Sequence, residues 1–269
     1  MKVVETKRGD KSWLVNKKGK RITKKYDIMN ADEWGPFFMV YAHKRTDYCI
    51  ERIRMMYDVI TEMFIRNIEA WDILTKEIIA LKYSNKWHLY NKKGELLRSD
   101  VEHYYTCKDV HLIKVQIDSK KYFMTEEAKI ISDGFEYLGD FNSSLGYCVV
   151  RPDESKKYGI IDINMNYILN PIECYSLYPL TQKYVLVTKN GKEGIVDISG
   201  NQIIPCIYDK ICFKSGYFIV KYNDHYGLID STGKTVFDTI YPEIIETQDK
   251  FVVHDFNKLE TSKDLEVNK

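Results

Sequence analysis

Short apolar pairs alternate with polar turns over most of this chain. Ile195-Val196 and Ile203-Ile204 flank Ser199-Gly200-Asn201, Leu228-Ile229 and Val236-Phe237 flank Ser231-Thr232-Gly233, and Leu89-Tyr90 and Leu96-Leu97 flank Lys92-Lys93-Gly94. Runs this short, rich in β-branched and aromatic residues and joined by a Gly or Asn turn, predict β-hairpins. Glycine suits such turns because they need φ > 0 at low steric cost. A further strand pair follows, Tyr208-Asp-Lys-Ile-Cys-Phe and then Gly216-Tyr-Phe-Ile-Val-Lys-Tyr, with counterparts at Gly146-Tyr-Cys-Val-Val and Gly35-Pro-Phe-Phe-Met-Val.

The pattern repeats. Tyr158-GIIDINMNYILNPIECY, Glu193-GIVDISGNQIIPCIYD and Tyr226-GLIDSTGKTVFDTIYP align from their first residue, and Ser12-WLVNKKGKRI, Trp87-HLYNKKGELL and Tyr122-FMTEEAKII fit the same frame. The glycine slot is held by Trp13, His88, Phe123, Gly159, Gly194 and Gly227, at spacings of 75, 35, 36, 35 and 33. Tandem units of ~35 residues with three or four short strands each predict an all-β repeat protein. The first spacing is about twice the others, so an eroded copy or an insertion is expected within 41–86. There, Ile50, Ile53, Tyr57, Ile60, Phe64 and Ile68 recur at three and four positions, which favours an amphipathic helical insertion near 46–68. A wholly β copy is the alternative.

An acidic or amide slot lies three residues before each turn position: Asn16, Asn91, Glu126, Asp162, Asp197 and Asp230. Asp and Asn side chains hydrogen-bond the amides of a following turn, so this column reads as turn architecture and not as catalytic carboxylates. Pro171, Pro205 and the slightly shifted Pro242 suit strand starts or bulges, where no ladder donor is missed.

Composition removes several classes. The 269 residues carry 40 Lys and Arg against 39 Asp and Glu, a net charge of +1, which argues against nucleic-acid binding driven by bulk charge. The longest wholly apolar run, Phe37 to Ala42, has six residues, against the roughly 20 of a membrane-spanning helix; membrane insertion is not expected. The N-terminal MKVVETKRGDKSW has no apolar core of a secretory signal, so a cytoplasmic protein is expected. Cys49, Cys107, Cys148, Cys174, Cys206 and Cys212 include no C-x-x-C, and the six histidines form no H-x-x-x-H or C-x-x-H pair. Free thiols are expected, with neither a disulfide framework nor a zinc site.

The frame Gly-aliphatic-Ile-Asp-x-x-Gly-x-x-Ile-Ile-Pro-x-x-Tyr-Asp-x-Ile-x-x-Phe resembles the WG-repeat family of bacterial proteins. Its best copy runs from Glu193 to Val220, with Gly194, Asp197, Gly200, Pro205, Tyr208, Asp209 and Phe213 in family positions. This chain has Tyr158-Gly159, Glu193-Gly194 and Tyr226-Gly227 where the family has Trp-Gly, so it reads as a degenerate member. Its literal Trp34-Gly35 falls in another slot, shared with Gly146 and Gly216. The resemblance implies a β-repeat array with no common enzymatic activity and no particular ligand.

Other motifs are incomplete. Ser231-Thr-Gly233-Lys234-Thr235 imitates a phosphate loop but has Leu228 where the first glycine belongs, and no helix follows. Asp162-x-Asn164-x-Asn166 with Glu173 imitates a calcium loop, yet Tyr167 occupies the obligatory glycine position. Lys17-Lys18-Gly19-Lys20-Arg21 with Lys24-Lys25 reads as a solvated hairpin tip. No catalytic, cofactor-binding or metal residue is assigned, and no cofactor is expected.

The expected fold is an open, twisted array of about seven units over 1–253, with a closed β-propeller as the alternative and a polar C-terminal tail at 254–269. The expected function is a non-enzymatic scaffold or adaptor that binds another protein. Carbohydrate or small-ligand binding is the alternative, and a degenerate hydrolase the second. A glycan binder should place exposed aromatics beside Asp or Asn in a groove. A hydrolase should converge two carboxylates about 5 to 10 Å apart. Most of the 21 tyrosines are expected to fill a packing slot of the repeat, as at Tyr175, Tyr208 and Tyr241.

Overall fold

The computed structural model describes residues 2–5, 11–35, 37–46, 49–59, 63–66, 68–248, 250–253 and 265–268. They form eight separate antiparallel sheets, each a meander of strands in chain order, and none closes into a barrel. The chain is an all-β array of tandem repeats. It divides into two compact units, Met1–Ser132 and Asp133–Lys269.

The repeat is clearest in the second unit. Its sixth sheet has the strands Ser176–Pro179, Tyr184–Lys189, Lys192–Asp197 and Gln202–Tyr208, and its seventh Lys210–Lys214, Tyr217–Tyr222, His225–Ile229 and Thr235–Tyr241. The second and third strands are joined by two residues with positive φ, Asn190-Gly191 in one sheet and Asn223-Asp224 in the next. That is the turn whose twist matches the strands it connects. Gly35, Gly146 and Gly216 all have positive φ at the turn between the first and second strands, as their shared slot predicts.

Successive sheets stack. Ile195 and Ile204 of the sixth sheet pack with Ile211, Phe218, Val220 and Ile229 of the seventh. On its other face, Val185 and Val187 of the sixth pack with Ile160 and Leu169 of the fifth. Adjacent residues of one strand therefore enter different cores, so apolar runs such as Tyr184-Val-Leu-Val show no strict alternation. A sheet covered on both faces has this signature.

The same burial corrects the helix expected near 46–68. Ile50–Asp58 and Met63–Arg66 are strands, paired from Met55↔Arg66 to Asp58↔Met63; positions 47, 48, 60–62 and 67 lie outside the described residues. Met55 and Tyr57 pack towards the sheet before, and Met56 towards the sheet after. The three- and four-residue spacing arose from a strand apolar on both faces, and Ile50, which a helical stripe would bury, is 56% exposed. Asp58 ends this eroded copy's third strand as Asp197 ends that of the best copy. Within the segment expected as a polar tail, Leu265–Asn268 pairs along Lys250–Val253; 254–264 and 269 lie outside the described residues.

Candidate functional site

The recurrent acids are occupied by their own turns. Asp197 Oδ1 accepts the Ser199 and Asn201 amides at 2.9 and 2.8 Å. Asp162 Oδ1 accepts those of Asn164 and Asn166 at 2.8 and 2.9 Å. Asp230 Oδ1 accepts those of Thr232 and Lys234 at 2.8 and 3.0 Å. Asn16 and Asn91 do the same through their amide oxygens. Hydrogen bonds hold the Asp197 and Asp230 carboxyls below the usual carboxylate range, led by the Asn201 and Thr232 side chains respectively. Asp230 thus takes up two amides of the phosphate-loop look-alike, and Asp162 two of the calcium-loop look-alike.

One copy is corrected by a residue. Thr125, not Glu126, accepts the following amides, from Glu127 and Lys129 at 3.2 and 3.4 Å. Tyr122 consequently takes the glycine slot, and Phe123 is fully buried. The error arose because threonine lacks a carboxylate yet caps a turn through its hydroxyl. A second correction concerns Tyr175, which fills no packing slot and is 74% exposed. Tyr208 is half-buried and Tyr241 buried.

Glycine at 159, 194 and 227 has a steric cause. The fourth strand bulges opposite each, between Glu193 and Ile195 in the best copy. A Cβ on Gly194 would lie 2.6 Å from Cys206 Sγ and 2.8 Å from the Ile204 carbonyl oxygen. Asp58 is buried. The basic residues of the cluster at Lys17–Lys25 are exposed, and Lys25 lies over the Trp13 ring.

Chemistry that the repeats leave unexplained gathers in the fifth sheet. Its first strand, Tyr137–Leu138, is joined to the second, Cys148–Arg151, by nine residues, 139–147, where the seventh sheet uses two. The longer connection folds on itself: the Asn142 amide donates to the Tyr147 carbonyl at 2.8 Å and the Leu145 amide to Asn142 Oδ1 at 3.0 Å. Between it and the first strand of the sixth sheet lies a cleft of about 380 Å³ whose lining includes Tyr137, Asp140, Asn142, Tyr158, Ser176 and Tyr178. Tyr137 and Tyr178 are 45% and 65% exposed. Tyr137 meets Tyr158 edge-on, with centroids 6.1 Å apart, and Arg151 lies over the Tyr158 ring at 5.7 Å. Tyr147, also in the wall, donates its hydroxyl to the Gln182 carbonyl at 3.0 Å and ties the two sheets.

A second cavity, of about 580 Å³, lies in the first unit beside Lys24, Arg52, Arg54 and Glu69, with Arg54 donating to the Glu69 carbonyl at 2.7 Å. Among the described lining residues each cavity has a single acid, Asp140 or Glu69, and neither includes a histidine or cysteine. His111 lies 3.4 Å from Glu126 but is an exposed turn residue.

Sheets, turns and glycines together define a β-repeat protein. Residues 194–224 match the family model described as WG containing repeat, so this stretch carries a repeat of that type. No curated protein matches it in sequence. Solved structures to which it is similar include a eukaryotic initiation factor, at 13% identity and a TM-score of 0.37 over 94% of this chain and 77% of that one. Hsv2p of Kluyveromyces lactis has 11% identity and a TM-score of 0.32, over 70% of this chain and 71% of that one. The dihydro-heme d1 dehydrogenase NirN in complex with DHE has 12% identity and a TM-score of 0.31, over 99% of this chain and 73% of that one. At such TM-scores the likeness carries no functional argument.

Proposed function

We propose that this β-repeat protein is a non-enzymatic scaffold or adaptor that binds another protein along its repeats. The observation behind this reading is a periodic apolar display. Ile207 and Ile240 occupy the same slot on the fourth strands of consecutive sheets, and are 49% and 56% exposed. A repeat array offers such side chains at fixed intervals, which suits an extended partner surface. The recurrent Asp162, Asp197 and Asp230 are engaged in their own turns, which suits a structural role for this column. The cytoplasmic location expected from the sequence is part of the same proposal.

The test is photocrosslinking in the native cell with a crosslinking residue at position 207 or 240. The reading expects one shared protein adduct from both positions and none from Lys234 on the intervening turn. Adducts that are absent, or equal at all three positions, contradict it.

A further inference from the structure

We propose that the cleft between the fifth and sixth sheets binds a neutral oligosaccharide. Tyr137 and Tyr178 present flat apolar rings at its rim, while Asp140, Asn142 and Ser176 add polar groups to the same wall. A pyranose has the complementary chemistry: an apolar face of C–H groups and a rim of hydroxyls that both donate and accept. Tyrosine rings bury large apolar area against such a face. The volume, about 380 Å³, falls in the ligand-cleft range of about 300–1,000 Å³ and suits a short sugar chain.

The polar groups select against other ligands. A carboxylate is acceptor-only, so a wall that includes Asp140 matches a ligand with donors, as sugar hydroxyls are, better than one with acceptors alone. A proline-rich peptide, the other common guest of an aromatic groove, lacks the N–H at each proline and offers mainly carbonyl acceptors. An anionic ligand is disfavoured too, because the described lining includes no Lys or Arg side chain. Asn142 gives its oxygen to the Leu145 amide, so its Nδ2 is the donor that side chain has left to offer.

Placement adds weight. Part of the lining, including Asp140, Asn142 and Tyr147, comes from the stretch 139–147, where this copy lengthens the first connection of the repeat. Insertions within repeats map to loops on one face, often the binding face. The loop's internal hydrogen bonds and the Tyr147–Gln182 tie hold the walls before a ligand arrives, which lowers the ordering cost of binding.

The inference is independent of the protein-binding reading, since Ile207 and Ile240 do not line the cleft. The test is saturation-transfer NMR on the full chain with maltotetraose, cellotetraose and chitotetraose as probes. Saturable binding of at least one probe is expected. Tyr178→Ala should weaken it about tenfold, about 1.4 kcal/mol, whereas Tyr178→Phe keeps the ring and the binding. Tyr175→Ala, at an exposed tyrosine outside the cleft, should leave it unchanged. Saturable binding of none of the three, equal loss in Tyr175→Ala, or no loss in a folded Tyr178→Ala variant overturns the proposal. So does a polyproline peptide that binds the cleft and is not displaced by the sugars.

Discussion

Asp197 uses both carboxylate oxygens on its turn, Oδ2 accepting the Asn201 side-chain amide at 2.8 Å. Asp197→Ala should cost about 1 kcal/mol, the net worth of a lost hydrogen-bond set at the surface. Asp197→Asn should cost less, since Asn16 and Asn91 hold equivalent turns. Its folded pKa is lowered, so the ionic part of its contribution is complete above the unfolded value of about 3.9. That part disappears as pH falls through the lower folded value. Urea titrations of wild type and Asp197→Asn should therefore differ at neutral pH and converge once the pH lies below the folded pKa; a constant gap contradicts a charge-dependent role. At Gly194, alanine should destabilise by about 1–3 kcal/mol, as overpacking does, because its Cβ would collide with the bulged strand. A thermal midpoint unchanged in Gly194→Ala would contradict the steric reading of this column. Turn residues were legible in the sequence because their partners lie two to four positions away. Tyr137 and Tyr178 were not, since only the stacking of two sheets brings residues 41 positions apart to one cleft.

At the scale of elements, the apolar pairs fix which strand faces which sheet. Ile204 is 1% exposed and shares a core with Phe218 and Val220 of the following sheet. Ile204→Ala should cost about 2–5 kcal/mol, read as a lower urea midpoint at unchanged slope. A smaller loss than Ile207→Ala, on the exposed side of the same strand, would contradict the register. Strand order, hairpins and the repeat period follow from patterns local to one unit, and they were legible. The strands around 50–66 were not, because Met55, Met56 and Tyr57 are all buried and period-two alternation disappears where a sheet is covered on both faces. Edge chemistry completes the picture. Fourth strands carry Pro171 and Pro205, and a proline on an outer strand blunts edge-to-edge pairing.

For the whole molecule, each sheet packs on its neighbours in sequence within a unit, so stability is a sum of sheet terms and nearest-neighbour interfaces. The second unit, Asp133–Lys269, holds the fifth to eighth sheets, the cores between them, the WG-repeat match and the tyrosine cleft. The most direct test is urea unfolding of a Asp133–Lys269 fragment followed by circular dichroism. The account predicts a β-sheet spectrum and a cooperative transition, with Ile204→Ala lowering its midpoint as in the full chain. A random-coil spectrum without a transition would contradict it.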